Sequence, residues 1–182
     1  MNRGFLLLLL IISTSFTGEK EQQYIERQGL VEFFSYTSVE NIQAVNNTVL
    51  SIIDPNKSEI AIRILMRAFV FKKSLMHEHF NESYIESDLY PEATLQGNIV
   101  DFGPNFKGVQ TRIIKGDFTL RGIKKPIEVK AEITKTEKGY TIKGTLNVRI
   151  KDYEIKVPRL LSPNIAKKIQ VSFNFQYVPY EN

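Results

Sequence analysis

Asp117-Phe118-Thr119-Leu120-Arg121-Gly122-Ile123-Lys124-Lys125-Pro126-Ile127-Glu128-Val129-Lys130-Ala131-Glu132-Ile133-Thr134 is the stretch on which the fold turns. Phe118 and Leu120 alternate with Asp117, Thr119 and Arg121; Ile127, Val129, Ala131 and Ile133 alternate with Glu128, Lys130, Glu132 and Thr134. Successive side chains of a strand point to opposite faces, so a period of two marks a strand with one buried side. Gly122-Ile123-Lys124-Lys125-Pro126 separates the two runs with turn residues, which predicts an antiparallel hairpin.

The pattern continues in both directions. After Glu137-Lys138-Gly139, one face carries Tyr140, Ile142, Leu146, Val148 and Ile150; in the last strand Val171, Phe173, Phe175 and Tyr177 oppose Gln170, Ser172, Asn174 and Gln176. Towards the N-terminus the candidate strands are Leu30 to Tyr36, Ile42 to Ile53, Ser58 to Phe71 and Ala93 to Ile99, with Asp54-Pro55-Asn56-Lys57 as a turn. Within Ser58 to Phe71, Ile60, Ile62, Ile64 and Met66 share one face, and Arg63, Leu65, Arg67, Phe69 and Phe71 the other. A short helix should follow, starting at Ser74 as N-cap, with Leu75, Met76, His79 and Phe80 on one face covering the end of that strand. A second helix start is expected where the capping residue Ser162 precedes Pro163.

About eight strands with one or two short helices make an all-β chain, and at that number a closed antiparallel barrel has room for one small ligand. A two-sheet sandwich of equal strand count fits the same periodicity.

The chain has 182 residues, with 24 Lys and Arg against 20 Asp and Glu, a net charge of +4, and no cysteine. Arg3, the apolar run Phe5 to Ile12 and the small residues Ser13, Thr14, Ser15, Thr17 and Gly18 read as a signal peptide over residues 1–18, leaving one domain over 19–182. Eight apolar residues fall far short of the roughly 20 a spanning helix needs, so no membrane span is expected after signal removal. The expected location is the periplasm or outside the cell, where a chain without disulfides must be held by its core alone. Mild charge in isolated doublets (Lys72-Lys73, Lys124-Lys125, Lys167-Lys168) points away from nucleic acid.

Catalytic signatures are missing: the sequence holds no Gly-x-Ser-x-Gly elbow, phosphate-binding glycine loop or His-Glu-x-x-His pair. His77 and His79 are the only histidines, and at i and i+2 of a helix they point apart, so no metal site is expected. Asn46-Asn47-Thr48 and Asn81-Glu82-Ser83 fit the glycosylation pattern.

Three segments carry a family resemblance. Met76-His77-Glu78-His79-Phe80 through Tyr90-Pro91-Glu92-Ala93-Thr94 resembles the helix, loop and Tyr-Pro strand start of the YceI family. Lys115-Gly116-Asp117-Phe118-Thr119-Leu120-Arg121-Gly122-Ile123-Lys124-Lys125-Pro126-Ile127 looks like its hairpin, in which a Gly-x-Leu-x-Leu-x-Gly pattern leads to a proline-started strand, with Phe118 where leucine is usual. Val148-Arg149-Ile150-Lys151-Asp152-Tyr153-Glu154-Ile155 is similar to its arginine, aspartate and aromatic segment, with Glu154 where glycine is commoner. The resemblance implies an exported, lipocalin-like barrel with an elongated apolar interior for an isoprenoid, quinone-like or fatty chain; with the catalytic signatures missing, no enzyme and no cofactor are expected.

For such a ligand the sequence offers twelve Phe and eight Tyr as wall material. The candidate ligand-binding residues are Phe69, Phe71, Leu75, Met76, His79, Phe80, Leu120, Val129, Leu146, Val148, Phe173 and Phe175, His79 matching the family's histidine. Arg63 and Arg67 are candidates for an anionic head group. The alternative is a non-catalytic structural or interaction module whose barrel is filled by its own side chains. A homodimer is compatible with either reading.

Overall fold

The structure, a computed structural model, describes residues 22–159 and 161–181; the signal expected over residues 1–18 lies outside the described residues. Its strands are β1 (Tyr24–Ser35), β2 (Ile42–Asp54), β3 (Glu59–Leu65), β4 (Val70–Phe71), β5 (Glu92–Ile99), β6 (Val109–Leu120), β7 (Ile123–Lys135), β8 (Tyr140–Arg149) and β9 (Lys168–Pro179). Eight of them follow one another around a closed antiparallel wall, β1-β2-β3-β5-β6-β7-β8-β9, and β9 returns to β1 through pairs such as Val31↔Phe173. That closure is the lipocalin-like barrel and rules out the sandwich. The two residues of β4 lie on the upper part of β2, where Ala44 meets Phe71 and Val45 meets Val70.

Antiparallel connections alternate between the two ends. The 36–41, 66–91, 121–122 and 150–167 segments lie at one end, called the top, and the 55–58, 100–108 and 136–139 segments at the bottom. The bottom is filled by packed aromatic and aliphatic side chains. Tyr24 meets the edge of Tyr140 at 4.8 Å between ring centroids, and Phe102 and Phe106 pack on the same ring. Ile53, Ile133, Ile142 and Tyr177 are buried there. The Ser51 hydroxyl donates to the Ala61 carbonyl (3.0 Å), so the Tyr177 hydroxyl 2.6 Å away donates to Ser51. Burial raises the Tyr177 phenol well above its usual value, which keeps it a donor.

The run Ser58 to Phe71 is not one strand. Ile60, Ile62 and Met66 face inward, and so does Phe69, which is out of phase with them. A 3₁₀ turn over Met66–Ala68 makes the switch. The two-sided apolar character of this stretch is a change of phase, not a strand buried on both faces. Where β3 leaves the ladder, buried Asn46 of β2 donates to the Leu65 carbonyl (2.9 Å) and accepts from the Thr48 amide (2.9 Å).

The hairpin turn is also shorter than expected. Leu120 pairs directly with Ile123, so only Arg121 (φ 50°) and Gly122 (φ 73°) turn the chain, and Ile123 to Pro126 belong to β7. Two successive positive φ values match the twist of the flanking strands. Pro126 is tolerated because the β7–β8 ladder runs only from Lys135↔Tyr140 to Ala131↔Gly144, leaving upper β7 unpaired on that side.

Helix α1 (Ser74–His79) continues as a π turn over Phe80–Tyr84. Ser74 is its first helical residue rather than its cap, and the cap position, Lys73, makes no side-chain cap bond. Ser162 likewise lies inside a single 3₁₀ turn, Ser162–Asn164, with Leu161 at the cap position and no side-chain cap bond. Glu154 takes the left-handed conformation (φ 52°) despite having a side chain, and its carbonyl accepts a bond from Arg121 Nη1 at 3.1 Å.

Candidate ligand-binding cavity

The phase change at Met66–Ala68 turns Phe69 and Phe71 into the barrel, where they meet Phe33 from β1 and Phe80 from beyond α1. Phe33 lies 5.2 Å from Phe69 and 5.4 Å from Phe80, and Phe71 lies 5.1 Å from Phe80. This cluster forms one wall of a cavity of about 200 Å³ in the top half of the barrel. Phe118, Leu120 and Val148 line it from β6 and β8, Val171 adjoins Phe33 on β9, and the 150–167 connection adds Ile155, Val157 and Ile165. A smaller chamber of about 50 Å³ lies deeper, against Ile114, Val129, Leu146, Phe173 and Phe175. The two share Val31, Ile64, Phe118, Val148 and Val171, so they follow one another down the barrel axis.

Polar side chains meet the cavity only near its top: Ser35, Glu40, His79, Tyr84 and Asn164. Glu40 is paired with Lys73 at 2.5 Å, and the Ser35 hydroxyl accepts the Ala166 amide at 2.8 Å, which ties the 150–167 connection to the end of β1. Burial raises the Tyr84 phenol above its usual value, so it stays protonated at neutral pH. The His79 ring lies 6.5 Å from that of Tyr84. Such groups can hydrogen-bond a neutral oxygen.

Of the residues singled out in the sequence, Phe69, Phe71, Met76, His79, Phe80 and Leu120 line the larger cavity, Val129, Leu146, Phe173 and Phe175 the deeper chamber, and Val148 both. Leu75 does not: it is 58% exposed. The inward helical face consists of Met76, His79 and Phe80, spaced i, i+3 and i+4, and Leu75 sits about 100° from Met76. Arg63 and Arg67 are no head-group site within the cavity. Both lie outside, where Arg63 pairs with Glu92 at 3.6 Å and Arg67 with Asp88. His77 is hydrogen-bonded: Nδ1 lies 3.0 Å from the Phe69 carbonyl and Nε2 3.2 Å from Asn81 Nδ2. Asn46 and Asn81 are both buried with their amides engaged, which removes both sequons as glycosylation sites.

Sequence reasoning missed Phe33, Met66, Tyr84 and Phe118 as lining. The alternation Val31, Phe33, Ser35 in the first candidate strand carried the signal for Phe33. Ile155, Val157 and Ile165 lie in an irregular connection, where no periodicity marks an inward face.

A closed eight-stranded barrel, packed at one end and hollow and apolar at the other, defines the class of lipocalin-like barrels. Within that class, this chain belongs to the YceI-like domain family, whose model matches residues 27–177. No curated protein sequence matches it. Among solved structures, a polyisoprenoid binding domain from Saccharophagus degradans implicated in plant cell wall breakdown is similar with a TM-score of 0.75 at 12% identity, over 88% of this chain and 100% of its own. BcnA of Burkholderia cenocepacia gives 0.69 at 14% identity, over 80% and 94%. The Campylobacter jejuni YCEI protein gives 0.56 at 12% identity, over 100% and 94%. At these identities the likeness speaks for the fold.

Proposed function

We propose that this protein is an exported, non-catalytic carrier that holds one apolar chain, isoprenoid, quinone-like or fatty, in the top half of its barrel. The observation that carries this reading is the hydrocarbon-lined cavity of about 200 Å³ continuing into a second of about 50 Å³. An apolar cavity of about 150 Å³ stays dry and takes up benzene. By that measure the two spaces accommodate on the order of ten carbons. A longer chain would leave its remainder at the top, where His79, Tyr84 and Asn164 suit a hydroxyl or carbonyl head. Its similarity to a polyisoprenoid binding domain agrees with this class of ligand. A barrel filled by its own side chains describes only the bottom half.

Native mass spectrometry of the protein purified from its own host, followed by solvent extraction, tests the reading. A stoichiometric lipid should be present, and should be lost in Ile155→Glu, which charges the lining from an irregular connection and spares the barrel wall. Protein that is reproducibly empty and takes up no added prenyl or fatty chain would sink the carrier reading.

A further inference from the structure

The described residues expose eight large apolar side chains: Tyr36, Val39, Leu65, Val70, Leu75, Leu89, Val109 and Val178. Scattered single residues of this kind need no explanation, but these are not scattered. The first six lie at the top end, in or beside its connections, and Val109 and Val178 at the bottom. Val39, Val70, Leu75 and Leu89 are between 58% and 71% exposed. Ion pairs join the segments that carry them. Lys73, two residues before Leu75, holds Glu40, the neighbour of Val39; Arg67, three before Val70, holds Asp88, the neighbour of Leu89.

Charge is divided along the same axis. The top connections with three strand residues on each side (33–44, 63–94, 118–125 and 147–170) hold thirteen Lys and Arg against eight Asp and Glu. The corresponding bottom segments (22–26, 52–61, 97–111, 133–142 and 177–181) hold four against six. The top is therefore at +5 and the bottom at −2. Five of the eight top acids, Glu40, Glu86, Asp88, Glu92 and Asp152, are neutralised in ion pairs. Lys125, Lys151, Lys156, Lys167 and Lys168 are exposed and make no ion pair among the described residues. They stand above β6 to β9, across the barrel end from the apolar residues above β1 to β5.

From this arrangement we propose that the top rim docks on the surface of an anionic phospholipid bilayer, with Val39, Val70, Leu75 and Leu89 dipping into the interface and the lysines on the lipid phosphates. Apolar side chains beside unpaired cations form an interfacial surface, which buries itself about 5–10 Å into the headgroup region. The cavity lies in the same half of the barrel, so docking brings it against the phase in which a water-insoluble chain is dissolved. This inference rests on the carrier reading for its purpose but not for its evidence.

The test is co-sedimentation of the mature protein with vesicles of phosphatidylglycerol and phosphatidylethanolamine, and with phosphatidylcholine as the uncharged control. Binding to the anionic vesicles should weaken at least tenfold in V70E/L75E and about fivefold for each cation removed in K167Q/K168Q. It should also fall with added salt, and V109E/V178E at the bottom should bind as wild type. No sedimentation at low salt would overturn the proposal, as would an equal loss in V109E/V178E. So would a dimer in solution that V70E/L75E dissociates without any vesicle binding, since a second copy would then be the occupant. Uptake of a fluorescent fatty acid without vesicles is measured in parallel. Its loss in wild-type protein counts against the carrier reading alone, and its retention in V70E/L75E separates docking from holding.

Discussion

Ala93 is a buried residue of β5, next to Ile64 of β3, and its methyl group faces the larger cavity. Ala93→Val puts two more methyl groups into a space of about 200 Å³, at a strand position that suits a β-branched side chain. Burying two such groups contributes about 1.6 kcal/mol, and fixing the new side chain costs roughly 0.5. The ligand-free protein should gain about 1 kcal/mol, or about 3 °C in Tm for a chain of this size. The same two carbons are denied to the ligand, which should bind about 1.6 kcal/mol more weakly, roughly fifteenfold. Urea unfolding of delipidated protein gives the first number and titration with a fluorescent fatty chain the second. If A93V lowers the urea midpoint, the methyl group faces packed atoms and not a void. If it stabilises the protein without weakening the chain, the cavity is real but is not where the ligand sits.

Three further outcomes follow from the geometry. Ser51→Ala leaves the buried Tyr177 hydroxyl without its acceptor and should cost about 1–3 kcal/mol, whereas S51A/Y177F removes both groups and should recover part of that loss; a double-mutant cycle with coupling below about 0.5 kcal/mol would refute the pairing. Burial first, and then Tyr24, raises the Tyr140 phenol from 10 to about 12, and Tyr177 is raised in the same direction, so the folded state keeps protons that the unfolded chain gives up. Their stabilisation is complete below pH 10 and is lost as the pH rises towards 12 and beyond, so the urea midpoint should fall across that range, less steeply in Y177F; a flat profile by circular dichroism would contradict it. Arg63→Ala removes an exposed pair on the outside of β3 and Arg67→Ala one within the 66–91 connection; both should leave ligand affinity within about twofold, while a tenfold loss in binding titrations would bring the head group out to that residue.

The wall of the barrel was legible because alternation reports a backbone property. Every inward residue of β9 from Val171 to Tyr177 stood in phase, and so did Val129, Ala131 and Ile133 of β7. The break at Met66–Ala68 was visible only as a run apolar on both faces, which a doubly buried strand would also produce. The hairpin turn was misread because Lys124, Lys125 and Pro126 look like turn residues. Their place in β7 depends on β8 having parted from it, a tertiary fact. The cavity itself lies beyond any such reading. Ile142 and Val148 sit on the same face of β8, one in the packed bottom and the other against empty space, and alternation is identical for both. The resemblance implied an elongated apolar interior but not which end of it is filled, and it could not tell Leu75 from Met76.

What divides the packed half from the hollow one is a pair of rings. Phe173 and Phe175 succeed each other on the inner face of β9, with ring centroids 5.3 Å apart and 28° between their planes. A side chain on Gly29 of β1 would place its Cβ 2.5 Å from the Phe175 ring, and one on Gly144 of β8 would place it 2.7 Å from Phe173. The two glycines, on the strands either side of β9, therefore leave the inner wall bare where the rings lie down. Larger residues there would push both rings towards the axis and into the deeper chamber, which they line. The depth of the cavity is thus set by what the neighbouring strands omit as much as by the phenylalanines. Below the rings, the tyrosine hydroxyls of the floor need partners, and Tyr177 has Ser51. Above them only hydrocarbon faces inward until the polar groups at the top, so a chain lying between those groups and the rings leaves no polar group to satisfy along its length.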